Sequence, residues 1–328
     1  MGPNHRQDDS HLLVTYCRYV LEEMQEIEGI FWGKGWDWQL SGVIKKFKPD
    51  LLLTSGLLCK SGLTIPQCAW IPTGSNKTWL SFFYKRRLQN TLLSARIIFT
   101  DSEKNRQKLI FQYSLDAGRV VVLYPLADDN YGVLPAAEKE NVKRKFAAAK
   151  EYFVVNPPYP TTGELLHLLK AFSLFKKRQQ SNMQLLLAGS DMEIPIEFYE
   201  KLETYKHQAD IHVYDFLKQD ELTKIVAGAY AMLYPFDKGS GRIILNAFQS
   251  QVPVIAADES SLSEISTDAA LYADPMNHEQ FANQLSRIFK DEKLRNEIIE
   301  NGKIRSELFS RRLSIGGFWK RLAGIIKN

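Results

Sequence analysis

From about residue 50 onward, short apolar runs alternate with segments of helical periodicity, and this alternation constrains the fold more than any other feature. Parallel sheets covered by helices produce such a pattern, so it predicts two doubly wound α/β units. The predicted strands are Leu51–Thr54, Ala69–Ile71, Ile97–Thr100, Val120–Leu123, Tyr152–Val155, Gln184–Ala188, Ile211–Tyr214, Ala231–Tyr234, Val254–Ala257 and Leu271–Tyr272. The predicted helices between them include Thr78–Ser94, Glu103–Tyr113, Gly163–Lys177 and Asp220–Ala229.

The length of 328 residues also fits two domains, at about 150 residues each. The boundary is predicted near Tyr124–Pro135, where turn residues and two prolines interrupt the pattern. A charged helix, Ala136–Lys150, then opens the second unit.

The first unit lacks a recognisable opening strand. A doubly wound unit normally begins with a strand and a glycine-bearing turn into the first helix. Here Asp9 or Ser10 is a candidate N-cap of a helix whose apolar face runs from Leu12 to Ile27, and no strand is predicted before it. The sequence therefore predicts an N-terminal domain that is truncated at its start.

Composition excludes several classes of protein. Apolar residues make up 45% and charged residues 24%, as in ordinary globular domains. The net charge of +4 is small and spread along the chain, which argues against nucleic-acid binding. Cys17, Cys59 and Cys68 form neither a disulfide framework nor a zinc motif, so a reducing compartment is expected. Without a predicted signal peptide or membrane span, the expected location is the cytoplasm.

Metal and nucleophile motifs are also missing from the sequence. The six histidines form no ligand spacing, and neither a D-x-D pair nor a G-x-S-x-G motif occurs. No metal site and no cofactor are therefore predicted.

The segment Ala231–Ala257 carries the strongest functional pattern. A strand ends at Tyr234, the turn D-K-G-S-G follows, and a helix is predicted over Arg242–Gln249 before the next strand. Such a turn directs backbone N–H groups of a helix N-terminus toward a bound phosphate. An ordinary glycine turn would have the same sequence, so both interpretations stay open at this level.

The same region resembles the donor domain of retaining glycosyltransferases of family 4. The matching motifs are Tyr234-Pro235, Gly239-Ser240-Gly241, Leu245-Asn246-Ala247, Val252–Ala256, Ser260–Glu264, Asp268–Leu271 and Asp274-Pro275. Weaker similarity extends back to Lys48, so it covers about five-sixths of the chain. The resemblance implies the GT-B architecture, in which two Rossmann-like doubly wound domains face a cleft. The expected domains are residues 1–127, residues 128–312, and a C-terminal helix, residues 313–328, packing back on the first domain.

The resemblance also implies a donor site, but with substitutions. In the family, two glutamates eight positions apart contact the sugar and the ribose of the donor, and Lys238 and Asn246 stand in their places. The family's cationic turn after the first strand of this domain corresponds to Val154–Gly163, which contains no cation. The predicted donor or phosphate site consists of Lys238, Gly239, Ser240, Gly241, Arg242, Asn246 and Glu264, and Lys238 and Arg242 can keep it cationic. No catalytic residue is assigned.

Two functions remain open at this point. The first is transfer of a sugar from a nucleotide-sugar substrate to a glycan or lipid-linked acceptor. The second is a catalytically inactive homologue that acts as a binding or scaffold partner, for example of an active glycosyltransferase. Losing several cationic or hydrogen-bonding donors would suppress transfer, since each such donor typically contributes about 10²–10³ in rate.

Two aromatic clusters each allow two interpretations. Gly29–Trp38 contains three tryptophans that can stack on a sugar ring or cover apolar surface. In Trp79–Leu93, aromatic residues adjoin Lys85, Arg86 and Arg87. That pattern suits peripheral contact with an anionic membrane, and it equally suits a helix with a buried aromatic face and a solvated basic face.

Overall fold

The computed structural model describes residues 51–55, 65–71, 81–156, 162–189, 194, 196–236, 241–258, 260–309, 317–318, 320–322 and 324–325. Contacts divide the chain into two units, one of Met1–Pro125 with Arg311–Asn328 and one of Leu126–Ser310. The divisions fall two residues before the predicted boundaries at 127/128 and 312/313. The predicted N-terminal helix and the tryptophan cluster Gly29–Trp38 lie outside the described residues.

The first unit contains a parallel four-stranded sheet with the strands in chain order. Its elements are β1 (Leu52–Ser55), β2 (Gln67–Trp70), α1 (Ser81–Ser94), β3 (Ile97–Thr100), α2 (Glu103–Tyr113) and β4 (Val120–Val122). Leu88 and Leu92 of α1 join the apolar core against Ile98 of β3. Phe318, near the C-terminus, packs edge-to-face on Phe99 with ring centroids 5.2 Å apart. In α1 the side chain of Arg86 is exposed, and the side chains of Lys85 and Arg87 lie outside the described set.

The second unit is built on a parallel six-stranded sheet in the order β10-β9-β8-β5-β6-β7. Its strands are β5 (Tyr152–Val155), β6 (Gln184–Ala188), β7 (Ile211–Tyr214), β8 (Ala231–Tyr234), β9 (Val254–Ala257) and β10 (Ala270–Ala273). Its helices are α3 (Ala136–Phe146), α4 (Thr162–Gln179), α5 (Ile196–Glu203), α6 (Gln219–Ala227), α7 (Arg242–Gln249), α8 (Ser260–Ser266), α9 (His278–Lys290) and α10 (Glu292–Leu308).

The strand order of this sheet reverses beside β5. The chain adds β6 and β7 on one side of β5, then returns to place β8 on its other side, followed by β9 and β10. All residues of β5, β6, β8 and β9 are buried, as expected for strands covered on both faces. Ligands of such sheets bind outside the carboxyl ends of the strands at the point of reversal. In this unit that point lies between the ends of β5 and β8.

The alternating pattern predicts the elements well, with one clear error. The bounds predicted for β3 and for β5 through β9 are confirmed. The predicted helix Ala136–Lys150 is wrong at its end, because α3 stops at Phe146. Ala148 and Ala149 have φ angles of 49° and 60°, which are incompatible with continuing a right-handed helix.

A buried ion pair ties α4 to the amino-terminal ends of β6 and β7. Lys176, which is 7% exposed, contacts Asp210 Oδ2 at 2.8 Å and donates to the Met183 carbonyl at 3.0 Å. Gln184 donates to the other carboxylate oxygen of Asp210 at 2.8 Å. Burial alone would raise the pKa of Asp210, but the hydrogen bonds from Lys176 and Gln184 outweigh it and hold the pKa below its ordinary value.

Removing this carboxylate should destabilise the second unit. Asp210→Ala leaves Lys176 buried without its counter-charge, so urea titration should show a loss of about 1–3 kcal/mol at pH 7. Because the folded pKa is lowered, the contribution of Asp210 is present at neutral pH and is lost as pH falls below about 4. The difference between wild type and variant should therefore shrink in acid. Glu140→Ala removes an exposed carboxylate and should leave stability nearly unchanged, because Lys143 keeps its ion pair with Glu151.

Candidate ligand site at the carboxyl edge of the second sheet

Polar side chains gather where the strand order reverses. Asn156 directly follows β5 and is 6% exposed. After β8 the chain reaches Gly241, which caps the N-terminus of α7. Both lie at the carboxyl edge of the same parallel sheet, because the strands that precede them run in one direction. The predicted site residues Lys238, Gly239 and Ser240 lie outside the described residues.

Gly241 has the backbone conformation and the surroundings that only glycine tolerates. Its φ is 75°, in the left-handed region, and a Cβ at this position would overlap Cδ1 of Ile265. Ile265 lies on α8 and is 2% exposed. The glycine therefore lets α8 pack closely against the start of α7.

Glu264, the remaining acidic residue of the predicted site, lies beside Ile265 on the same helix and is half-buried. Arg305 of α10 donates to the backbone carbonyl of Glu264 at 2.7 Å and to that of Ile265 at 2.6 Å. These bonds satisfy carbonyl groups near the C-terminus of α8 and fix Ile265 against Gly241.

Arg242 and Asn246 are four residues apart and therefore share one face of α7. Both contact Asp128, at the start of the second unit. The Arg242 guanidinium donates to Asp128 Oδ2 at 3.0 Å, and the Asp128 backbone N–H donates to Asn246 Oδ1 at 2.8 Å. The sequence predicts Arg242 as a cation flanking the turn. The structure adds a partner of opposite charge, the Asp128 carboxylate.

Asp128 belongs to a short turn, Asp128–Tyr131, which we call the linker turn. The Tyr131 N–H donates to the Asp128 carbonyl at 2.9 Å, and Asp128 Oδ1 accepts from the Asn130 N–H at 3.1 Å. The second contact is an Asx-type turn, which restricts the backbone locally. Gln249, at the end of α7, donates to the Tyr131 carbonyl at 2.8 Å.

Tyr131 anchors the linker turn to the carboxyl edge of the sheet. Its side chain is 5% exposed and forms hydrogen bonds with Asn156 and with Gln219, the first residue of α6. Burial, and then the nearby charge of Asp128, raise the pKa of the Tyr131 phenol, so it stays neutral at physiological pH. The linker turn thus contacts three elements around the point of strand reversal.

Sequence reasoning missed the residues of the linker turn and Asn156. The segment Tyr124–Pro135 predicts a domain boundary, and its asparagine and aspartates are ordinary turn residues. The available signal was Tyr131, a large aromatic residue with a polar group inside a turn-rich stretch. Its burial depends on neighbours that are distant in the chain.

The described part of the chain contains no group of three or more His, Cys, Asp or Glu side chains arranged to hold a metal ion. None of the described helices is both long and apolar enough to cross a membrane.

These features define an α/β protein with a candidate anion site at the point of strand reversal. The sequence profile of the family described as "Glycosyl transferases group 1" matches residues 138–305, about half of the 328 residues. The chain therefore belongs to the group 1 glycosyl transferase family.

Individual relatives support the fold. O-antigen chain mannosyltransferase B of Escherichia coli is 25% identical over 233 residues, which are 70% of this chain and 60% of that protein. The chain thus spans about 60% of the length of that relative. A glycosyltransferase of Rickettsia africae superposes with a TM-score of 0.74 at 17% identity, covering 94% of this chain and 88% of the other. Anabaena HepE in complex with UDP gives a TM-score of 0.71 at 14% identity, covering 88% of this chain and 81% of the other. The predicted GT-B type of α/β fold is confirmed.

Substituting Gly241 should disturb the junction of α7 and α8. Gly241→Ala adds a Cβ that meets Ile265 and forces alanine to a φ of 75°, so the free energy of unfolding should fall by about 2–4 kcal/mol. Chemical denaturation measures this change. In an Ile265→Val background, which removes Cδ1, the same substitution should lower the free energy of unfolding by only about 1–2 kcal/mol. This remaining loss comes from holding alanine in the left-handed backbone conformation. Gly132→Ala, where a Cβ meets nothing within 4 Å, is the matched control.

Proposed function

We propose that this protein transfers a sugar from a nucleotide-sugar donor to a glycan or lipid-linked acceptor, with retention of anomeric configuration as in glycosyltransferase family 4. The observation that carries the proposal is the position of Gly241, Arg242 and Asn246 beside the end of β5, where the sheet order reverses. Doubly wound sheets bind nucleotides at this point, with the phosphates at a helix N-terminus.

The chemistry of the site suits a diphosphate. The first N–H groups of α7 have no partners within the helix, and the helix dipole adds partial positive charge there. Gly241 is the N-cap of α7, so the first N–H groups of the helix begin directly after it. Arg242 supplies a planar cation in the first turn.

These groups would act mainly on the leaving group. When the bond between sugar and diphosphate breaks, negative charge grows on the diphosphate oxygens. Donors already fixed in place stabilise that charge without reorganising. In this proposal the α7 N-terminus and Arg242 hold the diphosphate during transfer.

The relatives narrow the choice of donor for a first experiment. One is named a mannosyltransferase of an O-antigen chain, and HepE was solved with UDP. We therefore propose a nucleotide-activated hexose as donor and a growing glycan as acceptor, with UDP-glucose and GDP-mannose as the first probes.

A second candidate function is an inactive homologue that binds a partner protein or ligand. It is favoured by the pairing of Arg242 with Asp128, which lowers the net charge available to a diphosphate. The presence of Asn246 in place of a family glutamate also favours an inactive homologue. Ligand binding without transfer to any acceptor would support this alternative.

Arg242→Ala should weaken nucleotide binding if the proposal is correct. Loss of a charge-assisted hydrogen bond to phosphate should raise the Kd for UDP or GDP by about 10–100-fold, as measured by isothermal titration calorimetry on the full chain. Arg287→Ala is the matched control, because Arg287 is exposed on α9 and contacts Gln284 of the same helix.

The same proteins should then be assayed for sugar transfer from the donor that binds. Wild type and Arg287→Ala should be active, whereas Arg242→Ala should be strongly impaired. Failure of the wild-type chain to bind any nucleotide or nucleotide sugar at millimolar concentration would refute the enzymatic proposal.

A further inference from the structure

The two units of the chain carry opposite net charges. The first unit, residues 1–125 with 311–328, has 21 Lys and Arg against 11 Asp and Glu, which gives +10. The second unit, residues 126–310, has 21 Lys and Arg against 27 Asp and Glu, which gives −6. The total of +4 therefore combines two opposite charges and is not an even spread along the chain. An anionic partner is attracted to the first unit.

Several cations of the first unit reach its surface without an ionic partner. None of the ion pairs of the described residues involves them, and they take part in no further unprinted contact. They are Arg86 on α1, Arg96 before β3, Lys108 on α2, Arg119 before β4, and Lys320 and Arg321 near the C-terminus. Their charge is therefore available to a partner.

Three of these cations gather toward the amino-terminal edge of the first sheet. The helix of a β-α-β crossover runs antiparallel to its strands, so α1 and α2 end at this edge. Arg96 and Arg119 directly precede β3 and β4, and Lys108 lies in the second half of α2. Doubly wound sheets bind their ligands at the opposite, carboxyl edge. These cations therefore lie away from the edge at which this sheet would bind a substrate.

Two large apolar side chains are exposed at the same edge. Leu93, in the last turn of α1, is 66% exposed, and Phe111, in the last turn of α2, is 90% exposed. Phe111 follows Lys108 by three residues, so the two side chains share one helix face. Moving these side chains from water into an apolar medium is favourable. Apolar side chains among cations are typical of surfaces that lie on anionic bilayers.

A cavity of about 480 Å³ opens at this edge, between the end of α1 and residues 324–325. Its wall includes the guanidinium-bearing Arg96 and Arg119 together with the apolar Leu93 and Ile325. Arg119 Nη2 donates to the Leu92 carbonyl at 2.8 Å, which fixes the guanidinium at the end of α1. Guanidinium groups bind phosphate, and the apolar wall matches the acyl chains attached to a lipid phosphate.

The C-terminal segment adds further cations near this cavity. Its described residues, 317–318, 320–322 and 324–325, are helical. Phe318, Leu322 and Ile325 are buried, whereas Lys320 and Arg321 are exposed. The helix therefore packs on the first unit through its apolar face and presents its cations to solvent, within about two turns of the cavity.

We infer that the amino-terminal edge of the first sheet binds an anionic phospholipid bilayer. We call this surface the basic edge and define it by Leu93, Arg96, Lys108, Phe111 and Arg119. Its cations attract the anionic headgroups, its two apolar side chains enter the interface, and the cavity holds a lipid phosphate. Vesicle binding requires no nucleotide, so the inference is independent of the proposed sugar transfer.

Vesicle co-sedimentation of the full chain tests the inference. Wild type should bind phosphatidylcholine vesicles that contain about 30% phosphatidylglycerol at least about tenfold more tightly than pure phosphatidylcholine vesicles, since each cation near an anionic surface contributes about fivefold. Raising the salt concentration from about 0.1 M to about 0.5 M should weaken this binding, because salt screens the surface charge.

Two variants separate the contribution of charge from that of apolar contact. Arg96→Glu combined with Lys108→Glu should lower the affinity for anionic vesicles by about 20–100-fold. Phe111→Ser should lower it by about 5–20-fold, whereas Phe111→Leu keeps an apolar side chain and should restore most of the affinity. All three positions are exposed, and thermal unfolding of each variant verifies that the fold is retained.

Matched controls come from the second unit. Lys201→Glu combined with Lys303→Glu reverses two exposed cations, and Phe216→Ser removes an apolar side chain that is 80% exposed. Both controls should bind anionic vesicles within about twofold of wild type, because they leave the basic edge intact.

Three results would overturn the inference. The first is wild type that binds neither kind of vesicle, or both equally well. The second is wild-type affinity for anionic vesicles in the Arg96 and Lys108 variant or in Phe111→Ser, and in the latter case competition by duplex DNA would identify a soluble polyanion as the ligand. The third is equal weakening by the controls on the second unit. Normal vesicle binding without nucleotide binding would refute only the proposed sugar transfer.

Discussion

The burial of the central strands of the second unit constrains everything else in that unit. All residues of β5, β6, β8 and β9 are buried, so the sheet offers polar groups little room except where strands end. Because the strands are parallel, their carboxyl ends share one edge, and the reversal of order beside β5 separates the connections there. Asn156, Gly241 and the start of α7 meet at this opening as a direct consequence.

The linker turn connects the polar side chains at the carboxyl edge of the sheet by hydrogen bonds. Asp128 binds both Arg242 and Asn246, and Tyr131 reaches Asn156, so residues from distant parts of the chain form one hydrogen-bonded group. The segment that begins the second unit thereby fixes the side chains with which that unit would recognise a ligand. The Asn246 amide in this network carries both a hydrogen-bond donor and an acceptor, whereas an ionised glutamate at the same position could only accept.

Much of the fold follows from local sequence, and the site follows only in part. The alternation of apolar runs and helical periodicity gives β5 through β9 at their observed bounds, since strands buried on both faces require continuous apolar residues. The end of α3 was missed because Ala148 and Ala149 adopt positive φ angles without a glycine to indicate it. Gly241 and Arg242 are identifiable from the spacing of the turn and the helix. The contacts of Asp128 were not predictable, because they span 114 and 118 positions and depend on how the chain folds back over α7.

The most direct test of this account is a crystal structure of the full chain with UDP or GDP bound. The account predicts a phosphate oxygen about 2.7–3.2 Å from the first backbone N–H groups of α7 or from the Arg242 guanidinium. It would be contradicted by a nucleotide bound elsewhere on the second unit.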